Sequence, residues 1–296
     1  MSKPSIGFIG LGLMGDAMVQ RLQAQGYQLQ VIANRSREKV EAAVSRGAVE
    51  HSTAKALAEA SDIVMLCMDT SASVESRMLG DDGVLAGLSP GNTVIDFGTS
   101  LPGSTRALGE KAANIGAAYM DAPLGRTPAH ALDGQLNIMG AGDKDVYDRV
   151  KPVLDDLGEN VFHLGPLGAG HTVKLINNFF GMTVANAMSE AFAMADLAGV
   201  ERQTVYDVMA AGPLHSGMMD FVKGYAVDGD PAQLAFAIKN ARKDVGYYAT
   251  MADDSGVTSL MSGAAKTALG LAVADGRGDQ MVSQMVDFYA DLFKQN

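Results

Sequence analysis

The 296 residues contain one cysteine, no tryptophan and only nine prolines. A single thiol, Cys67, excludes an intrachain disulfide and a zinc site built from several thiolates. Aromatic residues make up 6% of the chain and charged residues 19%. Basic residues are in deficit: 23 Lys and Arg stand against 34 Asp and Glu, for a net charge of −11. That balance argues against a general nucleic-acid binder, which needs a basic surface to neutralise phosphates. No apolar run approaches the roughly 18 residues of a membrane span. Asn177, Asn178 and Asn186 interrupt the most apolar long segment. The N-terminal residues MSKPSIGFIG lack the long apolar stretch and small-residue cleavage site of a secretory signal, so a cytoplasmic location is expected. His130, His163, His171 and His215 form no metal-binding spacing on one helix, and no carboxylate pair supports one, so no metal is expected.

What is present is a 47% hydrophobic, globular composition, long enough for one large domain or two ordinary ones. Apolar runs at residues 5–10, 28–33, 62–67, 93–97 and 117–121 read as strands with helical patterns between them. Residues 14–25 place Met14, Ala17, Met18 and Leu22 on one helix face. Ser36 is a candidate cap of the next helix and Gly47 its end. Residues 135–141 and 161–164 read as late strands flanking a helix near 146–157. This alternation implies α/β architecture, a doubly wound and mostly parallel sheet of the Rossmann type. The character changes at the GPLGAG stretch, residues 165–170. One long helix is expected from about 171 to 198, then helices at 201–211, 215–223, 231–253, 257–274 and 279–294. An α/β domain over 1–164 and an all-α domain over 165–296 follow. Ten methionines between residues 182 and 285 read as gap-filling in helix packing.

The sequence GLGLMG at residues 10–15 follows the first strand and opens the first helix. In that setting Gly10 permits the tight turn, Gly12 lets the backbone approach a pyrophosphate, and Gly15 lets helix and strand pack closely. The helix N-terminus offers its unpaired N–H groups to the anion. Leu13 and Met14 lie within this turn. Cys67 and Met68, at the end of the 62–67 strand, join them as cofactor-binding candidates. Asn34 stands 19 residues after Gly15, where an acidic residue would hold the ribose 2′-hydroxyl of NAD. No carboxylate is there. Asn34, Arg35 and Ser36 instead offer donors to a phosphate, which favours NADP over NAD.

Two further clusters carry chemistry. Gly125, Arg126 and Thr127 follow the 117–121 strand, and ligands in open α/β sheets bind at the carboxyl ends of strands. They offer a close backbone approach and donors for a carboxylate, sulfonate or phosphonate. On the long helix, Lys174, Asn177, Asn178 and Gly181 share a face. Burying that polar trio without partners is costly, so a ligand, cleft water or an inter-helix network must satisfy it.

In this order the three clusters resemble the β-hydroxyacid dehydrogenase family, and the resemblance covers essentially the whole chain. Its members include 3-hydroxyisobutyrate dehydrogenases, tartronate, glyoxylate and succinic semialdehyde reductases, and sulfolactaldehyde reductases. The nucleotide motif is FIGLGLMG at 8–15. The motif G-x-G-x-x-x-K-x-x-N-N matches from Gly168 to Asn178. Lys243-Asp244 matches the family's late pair, whose lysine lies near the cofactor, and Thr99 matches a threonine near the nicotinamide. The family's D-A-P-V-S-G-G motif is altered to DAPLGRT at 121–127. That variant, with KLINN at 174–178, looks most like the sulfolactaldehyde reductases, where the arginine helps hold the sulfonate. Asn34-Arg35 departs from the acidic strand end of that subgroup, and Gly181 stands where it has a serine. An arginine variant equally suits carboxylate substrates.

The resemblance implies hydride transfer between NADP(H) and a short acid bearing an alcohol or aldehyde. Lys174 is then the general acid and base, a dual role open to a lysine whose pKa its site lowers. Asn178 fixes the lysine, Asn177 touches substrate, Arg126 and Thr127 grip the acid group, and closure between the domains excludes water. Imine reductases on this scaffold replace the lysine with Asp or Tyr, and non-catalytic relatives lose it, so Lys174 argues against both. His215 and Ser216 read as structural or solvated. The helical domain implies a homodimer or homotetramer.

Overall fold

The structure is a computed structural model that describes residues 3–33 and 37–294. By compactness the chain divides into two units, Met1–Lys174 and Leu175–Asn296.

The first unit carries β1 (Ile6–Ile9), α1 (Leu13–Ala24), β2 (Leu29–Ile32), α2 (Arg37–Ser45), β3 (Val49–His51), α3 (Ala54–Glu59) and β4 (Ile63–Leu66). It continues through α4 (Ser71–Met78), α5 (Val84–Gly87), β5 (Thr93–Asp96), α6 (Pro102–Ala113) and β6 (Ala118–Asp121). These six strands form one parallel sheet, in the order β3-β2-β1-β4-β5-β6. Its central strands β1 and β4 read as continuous apolar runs because both faces are covered. Ile6 and Phe8 of β1 enter one core with Met18, Leu22 and Val31. Ile9 enters a second core with Leu57, Val64 and Val94. Thr53 and Thr70 cap α3 and α4 by accepting backbone N–H bonds, which fixes where those helices begin.

A smaller sheet follows, from β7 (Leu124–Gly125), β8 (Leu136–Gly140) and β9 (Gly158–His163), with α7 (Pro128–Asp133) and α8 (Lys144–Asp155) between them. β7 pairs antiparallel to β8, and β8 parallel to β9. Local pattern had suggested neither the two-residue β7, the half-exposed β3 nor the short α7.

α9 (Ala169–Leu197) runs unbroken through the boundary between the units. The second unit is helical thereafter: α10 (Arg202–Ala210), α11 (Gly217–Ala226), α12 (Ile238–Asp254), α13 (Leu260–Ala274) and α14 (Met285–Lys294). Met182, Met188, Met219 and Met285 are buried in its core with Phe192, Ile238 and Leu269. The helix expected over 231–253 is broken. Pro231–Leu234 is a 3-10 turn, and the chain is extended at Ala237, which bridges to Met281, before α12 begins. The same bridge delays the last helix: Val282–Gln284 is a 3-10 turn and α14 starts at Met285. That pairing joins residues some 44 positions apart, beyond the reach of local periodicity.

Candidate active site

The carboxyl ends of β1, β4, β5 and β6 lie along one edge of the parallel sheet, where such sheets bind ligands. At the end of β1, Gly10 has φ +103°, and a Cβ on it would stand 2.3 Å from the Cys67 carbonyl oxygen. Gly15, in the first turn of α1, would place a Cβ 1.9 Å from the Gly10 carbonyl oxygen. Both positions therefore demand glycine for close approach. Gly12 differs: it precedes α1 without a side-chain cap, and no described residue lies within 4 Å of the place its Cβ would occupy. The orphan N–H groups of α1 thus lie beside a bare glycine backbone with no side-chain cap, a cradle that fits a dinucleotide pyrophosphate. Leu13 is exposed beside it. Cys67 donates its N–H to the Ile9 carbonyl, and Met68 would touch a Cβ on Gly10, so both border the turn. Thr99 follows β5 by three residues. Asn34, Arg35 and Ser36 lie outside the described residues.

Lys174, in the second turn of α9, donates from Nζ to the Leu124 carbonyl at 2.7 Å. Its ammonium is thereby held beside β7, which ends at Gly125. Arg126 follows with φ +75°, the one non-glycine residue with positive φ among the described residues. Its guanidinium donates to the Gln135 carbonyl at 2.7 Å and pairs with Glu159 of β9. Thr127 starts α7, and its hydroxyl bonds to His130 Nδ1 at 2.7 Å.

In the second unit, Asn178 is buried and donates from Nδ2 to Asp244 Oδ2 at 2.6 Å. Asn177 donates to Asn178 Oδ1 at 3.3 Å. Lys243 Nζ stands 2.9 Å from Asp244 Oδ1. Phe179 stacks on Tyr248 with centroids 4.0 Å apart, which ties α9 to α12 at this point. His215 bonds to Asp220, and Ser216 caps α11, both as local structure. The Tyr206 hydroxyl beside Asp220, with His215, holds that carboxyl below its ordinary range.

Residues 5–165 match the NAD binding domain of 6-phosphogluconate dehydrogenase, and residues 168–289 match the NAD-binding domain of NADP-dependent 3-hydroxyisobutyrate dehydrogenase. The chain belongs to the β-hydroxyacid dehydrogenase family. This β-hydroxyacid dehydrogenase is 30% identical over 283 residues to glyoxylate/succinic semialdehyde reductase 1 of Arabidopsis thaliana, covering 95% of this chain and 97% of that one. It is 33% identical over 215 residues to 2-hydroxy-3-oxopropionate reductase of Escherichia coli, covering 73% of each. Its fold matches that of the Mycobacterium tuberculosis 3-hydroxyisobutyrate dehydrogenase solved with L-serine, with a TM-score of 0.88, 24% identity, and coverage of 97% and 99%. It is an NAD(P)-dependent oxidoreductase. No helix among the described residues is long and apolar enough to cross a membrane.

Three residues of this β-hydroxyacid dehydrogenase had escaped notice as neighbours of the expected site. Lys39 of α2 donates to the Gly12 carbonyl at 2.9 Å and brings a cation to the glycine turn. Glu159 holds Arg126 from 33 positions away. The Leu124 carbonyl receives Lys174 from 50 positions away. The i+4 repeat of helices and the alternation of strands carry no signal for such pairs. Asp244 belongs to the Lys243-Asp244 pair, yet its bond to Asn178 spans 66 positions.

Proposed function

We propose that the enzyme interconverts a short β-hydroxyacid, or a sulfonate analogue, with its semialdehyde, using NADP(H). The observation that carries this reading is the Lys174 ammonium held on the Leu124 carbonyl, next to the Gly125–Thr127 segment expected to bind the acid group. When bound, the nicotinamide supplies or accepts the hydride. Lys174 donates its proton to the substrate oxygen as negative charge develops in reduction, and withdraws it in oxidation, a contribution of about 10²–10⁴-fold. The Leu124 carbonyl orients Nζ for that transfer. Asp244 fixes the Asn178 amide, and Asn177 contacts substrate. Arg126 and Thr127 hold the acid group. Arg126 then exchanges its contact with Glu159 for one with the substrate anion, a modest cost because half-exposed ion pairs contribute only about 0–1 kcal/mol.

The preference for NADP rests on the residues Asn34, Arg35 and Ser36, with Lys39 beside Gly12 as a further cation. The succinic semialdehyde and 2-hydroxy-3-oxopropionate named for two relatives set the size of the substrate class. A homodimer or homotetramer in the cytoplasm completes the proposal. The second unit supports self-association: a cavity of about 480 Å³ beside Met261, Ala264, Leu271 and Leu292 opens among exposed apolar side chains.

Steady-state oxidation of NADPH and NADH with sulfolactaldehyde, succinic, methylmalonate and tartronate semialdehydes and glyoxylate tests this reading. Turnover of at least one acid aldehyde, faster with NADPH and lost in Lys174→Ala, is expected. Turnover of none, or turnover untouched in Lys174→Ala, overturns it.

A further inference from the structure

His171, Asp96 and Asp121 are fully buried together at the edge of the parallel sheet where β5 and β6 end. The His171 imidazole has Nε2 3.8 Å from Asp96 Oδ2 and Nδ1 3.8 Å from Asp121 Oδ2. Thr105 of α6 donates its hydroxyl hydrogen to the Leu101 carbonyl at 3.1 Å, so its oxygen is left to accept from Nδ1 of His171 at 2.8 Å. That bond sets the ring and turns Nε2, which has no hydrogen-bond partner among the described residues, toward Asp96. Asp96 accepts from the Gly98 N–H and the Ser100 hydroxyl. Asp121 accepts from the N–H groups of Gly168 and His171, at 2.8 and 2.7 Å. It thus satisfies donors at the start of α9 that no helical carbonyl can reach. The Tyr119 hydroxyl is buried near the same carboxylates.

The register of these contacts matters. Asp121 receives the His171 backbone, and three residues further along both segments Leu124 receives Lys174. The segment 121–124 therefore lies against the turn 171–174 through two contacts in step. Gly170 enforces the closeness: a Cβ there would meet the Met139 carbonyl oxygen at 2.3 Å and Asp121 Oδ2 at 2.8 Å.

We propose that His171 is a positioning residue for Lys174, holding the first turn of α9 on Asp121 through its backbone N–H and on Thr105 of α6 through its ring, so that Lys174 Nζ meets the Leu124 carbonyl. Its catalytic consequence rests on the proposed acid–base role of Lys174; the locking does not. A misplacement of an ångström at a reacting group costs up to about 100-fold in rate. Nζ held on the Leu124 carbonyl is also less open to an acylating reagent, so a displaced Lys174 becomes easier to acylate.

The test compares wild type with His171→Leu, His171→Gln and Thr105→Val. It measures kcat and KM, and also the rate at which acetic anhydride labels Lys174 Nζ in nucleotide-free protein, read by mass spectrometry at pH 8. His171→Leu and Thr105→Val are expected to lower kcat about tenfold or more with KM little changed, and to raise Lys174 labelling by about threefold or more. His171→Gln keeps an N–H for the Thr105 hydroxyl and is expected to recover most of both. Labelling unchanged in folded Thr105→Val or His171→Leu overturns the proposal, as does a Gln variant no better than the Leu one. If His171→Leu fails to fold, Thr105→Val decides. Absence of turnover in wild type overturns the functional reading alone, because the labelling still reports on the lock.

Discussion

Asn178 Nδ2 donates to Asp244 Oδ2 at 2.6 Å, with both residues buried. The bond settles which way the amide faces, since Oδ1 then points to Asn177. Asp244 also pairs with Lys243, so one carboxylate organises three residues read from the sequence as binding groups. Asp244→Asn removes the charge and sets its NH₂ against a donor, either Asn178 Nδ2 or Lys243 Nζ. A hydrogen bond to a charged group contributes about 1.5–3 kcal/mol, so a comparable loss of stability is expected by denaturant unfolding. A fall of about tenfold or more in kcat/KM should accompany it. A folded variant with unchanged kcat/KM would remove Asp244 from the site.

Gly12 and Gly15 should respond oppositely to alanine. At Gly15 the added Cβ collides with the Gly10 carbonyl, and backbone cannot yield as a flexible side chain does. Gly15→Ala should cost about 1–3 kcal/mol of stability or prevent folding. At Gly12 the Cβ meets no described residue. Gly12→Ala should unfold at nearly the wild-type temperature yet bind nucleotide more weakly, by about 1–3 kcal/mol as measured by fluorescence titration. Equal nucleotide affinity in Gly12→Ala would place the pyrophosphate elsewhere.

Much of this organisation was legible in the residues themselves. The parallel sheet follows from buried apolar runs such as Ile6–Ile9 and Ile63–Leu66, and α9 from a segment free of proline. The glycine turn was legible because each glycine has a separate steric reason. Contacts between distant segments were not. Local pattern could not show that Arg126 is engaged by Glu159, or that Ala237 bridges Met281 and interrupts an otherwise helical stretch. His171 read as an ordinary helix start because neither Asp96 nor Asp121 is near it in sequence. The order of the motifs supplied the family, whereas the acid group of the substrate depends on where one guanidinium points.

Cys67 should be a poor nucleophile despite its place beside the glycine turn. Burial, with the Asp96 carboxylate, pushes its thiol up to about 12. The thiolate is the reactive form, and it is scarce at neutral pH. Iodoacetamide should therefore modify native protein slowly at pH 7–8 and faster as the pH rises toward that value. Unfolding in denaturant should restore the reactivity of a free thiol. Rapid alkylation of native protein at pH 7 would contradict the raised thiol pKa.

Arg126 presents stability and function as separable quantities. Its φ of +75° costs an L-residue about 1–2 kcal/mol that glycine does not pay. Its ion pair with Glu159 is partly exposed and returns about 0–1 kcal/mol. Arg126→Gly should therefore be more stable than Arg126→Ala by about 1 kcal/mol and close to wild type. If the guanidinium holds the acid group, both variants should lose kcat/KM on acid aldehydes to the same degree, about tenfold or more, whatever their stability. Thermal unfolding and steady-state kinetics on the same preparations check both halves. Loss of activity that follows stability, with Gly active and Ala not, would make Arg126 a structural residue and leave the acid group to Thr127 and the neighbouring backbone.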